Sequence, residues 1–167
     1  MKALIVGRYG GKSGPRLGDM PKPELRDNDV LVQVHAASVN PLDAKIAAGA
    51  FKLIPPCRLP PILGNDVARV VVRTGLGARR FEPGDEVYAR PDKDRIGTFA
   101  EYIAMEEADA AMKPKNLTMA EAASLPLVAL TAWQPLIGIA WLKKGRRSWS
   151  MRARVPLARS RSSSQSM

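Results

Sequence analysis

Residues 30–43 read VLVQVHAASVNPLD and contain the longest predicted strand of the chain. The first half of this stretch is largely apolar and rich in valine, which favours a buried strand. We predict that strand over Val30–Val39. A turn is expected at Asn40, because Pro41 has no N–H to donate to a sheet. The stretch therefore predicts one long buried strand followed by a polar turn.

Shorter strands are predicted on both sides of this stretch, separated by glycine, proline and aspartate. They are Lys2–Val6, Val67–Arg73, Glu86–Ala89, Thr98–Ala104 and Ala110–Lys113. The sequence FEPGD at 81–85 predicts a turn. Gly75-Leu76-Gly77 reads as a hairpin turn, since no third glycine follows to complete a dinucleotide fingerprint. Residues 1–115 are therefore β-rich.

The pattern becomes helical after residue 115. Thr118 and Glu121 have the spacing of a capping box, which predicts a helix start there. Pro126 fits the first turn of a second helix over Leu127–Leu142, since that position needs no N–H donor. Pro135 lies inside this second helix and is expected to kink or end it, at a cost of about 3 kcal/mol. The predicted fold class is thus β-rich α+β.

The net charge of +10 belongs mainly to the end of the chain. Residues 146–167 contain six arginines, seven serines and no acid, which leaves 20 basic and 16 acidic residues elsewhere, or +4. Without apolar periodicity, this tail is predicted to be disordered. The length of 167 residues suits one domain. No apolar run approaches the roughly 20 residues of a membrane span, and the start does not read as a secretory signal. The single cysteine, Cys57, excludes an internal disulfide and favours a cytoplasmic location.

Five segments, in order, resemble the medium-chain dehydrogenase/reductase superfamily. They are AASVNPLD at 36–43, ILGNDVA at 62–68, FEPGDEVY at 81–88, GTFAEY at 97–102 and AASLPLVALTA at 122–132. Each segment is a weak signal alone, but the ordered set extends across residues 1–145. The chain most resembles the zinc-independent, NADPH-dependent quinone oxidoreductase-like branch.

The resemblance implies a GroES-like barrel over residues 1–126 and a domain-joining helix over 127–145, leading toward a Rossmann domain that this sequence lacks. It implies hydride transfer from NADPH to small quinones or activated enones and carbonyls, by a homo-oligomer without a membrane partner. Zinc-dependent relatives have a cysteine ligand in the segment where this sequence has residues 40–43, and four further cysteines, so we expect no metal. His35, the only histidine, is expected to be structural or at the surface.

The resemblance also supplies candidate site residues, although it assigns no catalytic residue with certainty. Substrate or cleft candidates are Asn40, Asp43, Lys45, Phe51, Asn65 and Asp66, and cofactor candidates are Asn40 and Thr131. Structural alternatives stand beside them. Asn40 is also a turn residue before proline, Asp43 and Lys45 a solvated pair at a helix start, and Asn65 and Asp66 partners of the backbone at a strand entry. Phe51, with Leu53 and Ile54, would line a quinone-sized pocket or pack in the core.

Two positions depart from the family pattern. Arg69 stands where the family has glycine, and Pro135 interrupts a helix that should be continuous. A glycine inside a strand often marks a close backbone approach, so Arg69 is expected to strain the sheet.

A glycine-rich strand and turn should follow Gly145 in this family, yet the tail contains neither. With a suitable choice of codons, shifting the tail by one base gives GQKVLVHAGSGAVGSIAIQLAKH. In this string a strand, G-S-G-A-V-G and a helix match the dinucleotide fingerprint. We therefore expect a frameshift after Gly145 and an inactive chain.

A different class of function would be a non-catalytic GroES-like interaction module whose basic tail binds nucleic acid. The six arginines of the tail would contact phosphates. We do not favour nucleic acid as a partner, because the tail lacks interleaved aromatic residues and an out-of-frame origin explains its composition.

Overall fold

The computed structural model describes residues 1–8, 10, 14–50, 62–141, 143 and 145. Phe51, Leu53, Ile54 and Cys57 lie outside the described residues, as does the tail at 146–167. In the described ranges, no helix is long and apolar enough to cross a membrane.

Seven strands form two antiparallel sheets. The strands are β1 (Lys2–Ile5), β2 (Arg16–Asp19), β3 (Asp29–Ser38), β4 (Asp66–Thr74), β5 (Glu86–Ala89), β6 (Tyr102–Glu106) and β7 (Ala110–Met112). The larger sheet has the order β6-β3-β4-β5-β7. The long predicted strand is β3, which pairs with β4 on one side and β6 on the other. Its register with β4 shifts twice, and such irregularities bend a strand and increase its twist.

β1 and β2 form a separate hairpin that attaches to the chain just before β6. Leu4 N donates to Phe99 O at 2.8 Å, and Glu101 N donates to Lys2 O at 3.1 Å. Because β1 pairs with β2 and with this segment, it does not bridge β6 and β7. Among the described residues those two strands remain the edges of the larger sheet. The predicted β-rich fold class is therefore confirmed, and its sheet stays open instead of closing into a barrel.

Apolar side chains cover both faces of the larger sheet. One face carries the main core, which consists of Val30, Val32, Val67, Val71, Ala78, Phe81, Val87, Ala89, Ile103, Met105 and Ala110. Ala68 lies on the other face and packs against Ala122 and Ala123. This alternation along β4 follows from the two-residue period of a strand. The first half of β4 is therefore buried on both sides, whereas β3 is buried on one side and exposes Gln33 and His35 on the other.

Three short helices complete the described fold: α1 (Pro41–Ala47), α2 (Met119–Ala123) and α3 (Pro126–Trp133). The predicted capping box starts α2, with Glu121 N donating to Thr118 Oγ1 at 3.3 Å and Thr118 N to Glu121 Oε2 at 2.8 Å. After α3, Gln134–Ile139 continues as a π-helix. The α-helix therefore ends just before Pro135, as predicted, because proline cannot donate to the preceding turn.

Three features differ from the predicted elements. The sequence does not predict β2, and it indicates α1 only as a helix start in the alternative reading of Asp43 and Lys45. The strand predicted at Thr98–Ala104 lies instead at Tyr102–Glu106, because residues 98–101 hydrogen-bond mainly to β1 and to the chain at 63–64.

Candidate functional site

Four of the predicted site residues meet where β3 ends and β4 begins. Asn40 is the N-cap of α1, directly after β3, and Asp43 lies in the first turn of that helix. Asn65 and Asp66 lead into β4. The antiparallel register places Ser38 opposite Asp66, which brings the two chain ends together. All four predicted residues are buried, with 7% of Asn40 and none of Asp66 exposed.

The Asp66 carboxylate connects three segments of the chain. Its Oδ2 accepts hydrogen bonds from Ser38 Oγ at 2.8 Å and Asn40 Nδ2 at 2.9 Å. Its Oδ1 accepts from the backbone N–H of Leu127 at 2.8 Å, in the first turn of α3. One side chain therefore links the end of β3, the start of α1 and the start of α3.

A second carboxylate, Asp43, holds the other side of Asn40. Asp43 Oδ2 accepts from Asn40 N at 2.7 Å, and Asp43 Oδ1 accepts from Asn65 Nδ2 at 2.7 Å. The expected solvated pair at the helix start does not form, because Asp43 is only 2% exposed while Lys45 is exposed to solvent. Asp43 thus belongs to the buried network, and Lys45 does not.

The network compensates for the burial of two acidic groups. Desolvation raises the pKa of Asp66, and the Asp43 carboxylate acts in the same direction, whereas the donors Asn40, Ser38 and Leu127 N–H lower it. A buried carboxylate is tolerated only when hydrogen-bond donors surround it. Asp66 has three such donors and Asp43 has two, so the amide side chains between them have little freedom to rotate.

Thr131 lies one turn along α3 from Leu127 and is exposed. Its Oγ1 donates to Leu127 O at 2.6 Å. A cavity of about 150 Å³ adjoins it, lined by Arg90, Leu127, Leu130, Thr131 and Gln134. Leu127 lines this cavity and also donates its N–H to Asp66. The two proposed cofactor contacts, Asn40 and Thr131, are thus connected through Asp66 and Leu127.

The remaining predicted residues lie elsewhere. Phe51 is outside the described residues, so its place in a pocket stays a prediction. His35 is exposed, with Nδ1 3.2 Å from Gln33 O, which fits the expected surface role. No group of three or more His, Cys, Asp or Glu side chains that could hold a metal ion occurs within the described part of the chain.

Sequence reasoning missed Ser38 and Arg90. Ser38 precedes Asn40 by two residues, so strand alternation could have placed both on one side. Arg90 directly follows β5, and only the tertiary fold, in which α3 packs against the neighbouring strand β4, brings it to the cavity that Thr131 lines. No local pattern marks it.

The segment that contains Asn40, Asp43, Asn65 and Asp66 also identifies the family of the chain. The sequence profile described as "Alcohol dehydrogenase GroES-like domain" matches residues 26–115, which include β3, α1, β4 and β5. The chain belongs to this family. Its relatives are quinone and enone oxidoreductases of the medium-chain dehydrogenase/reductase superfamily, which confirms the resemblance carried by the five segments.

The names of two curated relatives describe enzymes that act on unsaturated carbonyl compounds. The chain is 41% identical over 144 residues to the NADPH-dependent alkenal/one oxidoreductase of Arabidopsis thaliana chloroplasts, a match covering 82% of this chain and 37% of that protein. It is 40% identical over 143 residues to the 2-methylene-furan-3-one reductase of Solanum lycopersicum, covering 81% and 37%. The chain therefore spans well under half the length of these relatives.

A solved structure shows the same fold. The quinone oxidoreductase from Coxiella burnetii superposes with a TM-score of 0.77 at 34% identity, over 87% of this chain and 46% of that one. Both the sequence and the structure comparisons thus place this chain in the GroES-like family, beside relatives that are named as oxidoreductases.

Proposed function

We propose that residues 1–145 form the substrate side of an NADPH-dependent oxidoreductase that transfers hydride to quinones or to activated enones and carbonyls. The observation that carries this proposal is the buried Asp43–Asn65–Asp66–Asn40 network, which Leu127 links to Thr131. The relatives of the chain include an NADPH-dependent alkenal/one oxidoreductase. A network this well satisfied fixes polar groups in place, which is what the positioning of two reactants requires.

The side chains present fit the cofactor's polar groups. Asn40 and Thr131 are neutral hydrogen-bonding residues of the kind that bind a nicotinamide or ribose without adding charge. NADPH, when bound, supplies two electrons as a hydride, and the reduced substrate takes one proton from solvent. The chain's own part is to position the two partners and exclude water, without zinc. A cytoplasmic location and a homo-oligomer complete the proposal.

We further propose that the 167-residue chain is inactive alone, because a frameshift after Gly145 removes the glycine-rich turn that would bind most of the cofactor. Resequencing the codons for Gly145–Arg147 tests this cause directly. An intact, unshifted sequence with no glycine-rich turn downstream in any frame would contradict it.

The activity is tested by comparing two proteins. The purified 167-residue chain and the product of the gene read in the shifted frame are each mixed with NADPH and either 1,4-benzoquinone or an alkenal, and absorbance is followed at the nicotinamide band. Only the shifted-frame protein is expected to consume NADPH. Turnover by the 167-residue chain at a comparable rate would overturn the inactivity, and no turnover by either protein would overturn the function.

A further inference from the structure

We propose that Asp66 is a positioning residue. It fixes the orientation, or polarity, of the Asn40 amide, so that the NH2 group faces the protein and only the oxygen can bind a ligand, which must be a hydrogen-bond donor. It also holds this amide in a fixed position relative to the start of α3. Asp66 itself touches no ligand in this proposal. The orientation of the amide and its position relative to α3 are properties of the folded chain. The identity of the ligand that binds the amide oxygen rests on the proposed function.

The polarity follows from what each group can donate. A carboxylate only accepts hydrogen bonds, so the side of Asn40 facing Asp66 Oδ2 at 2.9 Å is its NH2 group. Ser38 has one hydroxyl hydrogen and uses it on the same Oδ2 at 2.8 Å. Its oxygen therefore accepts the second Asn40 hydrogen, at 3.2 Å. Both amide hydrogens of Asn40 are thus used within the protein.

The amide oxygen faces the backbone N–H of Asp43 in the capping box of α1. Since a carbonyl oxygen has two lone pairs, it is the Asn40 atom that can still accept from a ligand. An oxygen acceptor binds an N–H or O–H, such as the carboxamide of a nicotinamide or a ribose hydroxyl. It does not bind the carbonyl oxygen of a quinone or enone, which is itself an acceptor. Asp66 thereby assigns Asn40 to the cofactor and not to the substrate carbonyl.

The same carboxylate fixes the start of α3. Asp66 Oδ1 accepts from Leu127 N at 2.8 Å, and a negative charge at the first turn of a helix is favourable. Thr131 bonds back to Leu127 O at 2.6 Å. A movement of Asp66 would therefore displace the Asn40 amide and the first turn of α3 together. Asp43, the other carboxylate of the network, accepts a hydrogen bond from the backbone N–H of Asn40. In the described residues it makes no hydrogen bond to α3.

The Asp66→Asn variant separates these two contacts. The new amide oxygen can still accept from Leu127 N, but its NH2 group would face the NH2 group of Asn40. In the ¹⁵N-labelled 167-residue chain, we expect hydrogen exchange of the Asn40 side-chain amide to rise at least tenfold while that of the Leu127 amide changes less than threefold. The matched control is Asp29→Asn, which alters another buried carboxylate at the opposite end of β3. It should leave the Asn40 amide unchanged. An unchanged Asn40 amide in Asp66→Asn, or an equal change in Asp29→Asn, would overturn the proposal.

A milder variant covers the case in which Asp66→Asn does not fold. Ser38→Ala removes the acceptor of one Asn40 hydrogen and leaves the other on Asp66. One of the two Asn40 side-chain hydrogens is then expected to lose protection. Loss of protection at both hydrogens, or at neither, would contradict the assigned polarity.

The ligand assignment is tested in the shifted-frame protein. We expect Asp66→Asn to raise KM for NADPH at least tenfold and KM for the quinone less than threefold. The reverse split would refute the assignment of Asn40 to the cofactor. These outcomes are distinct from failure of the proposed function, since a parent protein without turnover refutes the function while the exchange measurements still decide the role of Asp66.

Discussion

Arg69 is the residue whose environment conflicts most with its chemistry. Arg69 lies on the same face of β4 as Val67 and Val71, because side chains two residues apart share a face. Its side chain therefore enters the main core and is 0% exposed. Nη2 lies 3.2 Å from Met105 Sδ, and Nε and Nη1 have no hydrogen-bond partner within the described part of the chain. Desolvation lowers the pKa of Arg69 well below its usual value. The family glycine at this position would bury no charge.

We therefore expect Arg69→Met to stabilise the chain. Methionine keeps most of the unbranched stem and removes a buried group that lacks a counter-charge, which is worth about 3 kcal/mol or more in the free energy of unfolding. Urea denaturation measures the change. The control is Arg73→Met on the same strand, where the arginine is exposed and little change is expected. Equal effects of the two substitutions would show that the burial of Arg69 costs nothing.

A second charged pair, Asp29 and Arg95, makes stability depend on pH. Arg95 Nη1 and Nη2 donate to the two carboxylate oxygens at 2.7 and 2.6 Å, and this interaction lowers the pKa of Asp29 below its usual 3.8. The unfolded chain then binds a proton more readily than the folded chain in the window below 3.8. This contribution to stability is present above that value and is lost as the pH falls through the folded pKa.

The corresponding measurement is urea denaturation at intervals from roughly pH 5 to 2. The free energy of unfolding is expected to fall over this range, and to fall less steeply in Asp29→Asn, which cannot titrate. Asp27→Asn, at an exposed neighbouring position, serves as the control and should keep the steep profile. A profile of Asp29→Asn that parallels the parent would contradict the assigned role of the pair.

At the scale of elements, the entry to β4 is shaped by Gly64. Its φ is +106°, a conformation that side chains rarely adopt. A Cβ there would lie 2.8 Å from Phe99 N and would also collide with Thr98 Oγ1. The close approach is needed because Phe99 N donates to Leu63 O at 2.8 Å, which fixes the segment before β6 against the segment before β4.

Gly64→Ala should therefore destabilise the chain by about 3 kcal/mol or more, from backbone strain together with the collision. Gly84→Ala is a matched control, since its φ is +102° but nothing lies within 4 Å of the added Cβ. It should cost about 1–2 kcal/mol, from the backbone alone. Thermal or urea unfolding of both variants provides the comparison. Equal losses would mean that the contact with Phe99 is not tight in solution.

At the scale of the whole molecule, the end of the described chain exposes an apolar surface. The residues are Leu130, Trp133, Ile137, Ile139 and Trp141, which are between 39% and 77% exposed. Large contiguous apolar surfaces promote association.

We expect the 167-residue chain to self-associate through this surface. Trp133→Glu should shift the chain toward monomer in sedimentation velocity at micromolar concentration, because it places a charge within this apolar surface. Leu76→Glu, which alters an 85% exposed leucine in the turn after β4, is the control and should have no such effect. A parent chain that is monodisperse and monomeric at these concentrations would contradict the prediction.

The parts of the fold that depend only on neighbouring residues can be predicted from the sequence. The valine-rich run gave β3, the Thr118–Glu121 spacing gave the start of α2, and Pro135 placed the end of α3, because strand period, capping and the missing proline N–H are local effects. β2 and α1 are hard to predict for the same reason, because their four and seven residues are too few to show a strong hydrophobic period.

Which polar groups contact one another depends on the tertiary structure. Asp66 accepts from Asn40, 26 residues away, and from Leu127, 61 residues away, and neither partner follows from spacing. The sequence named Asn40, Asp43, Asn65 and Asp66 as candidates through a resemblance, but could not say that they share one network or that Lys45 lies outside it. The physical reason is that a buried carboxylate takes its donors from whichever segments the sheet and helices bring to it. The stretch VLVQVHAASVNPLD thus sets the strand and the turn, and the packing of β4 and α3 beside it sets what the turn can bind.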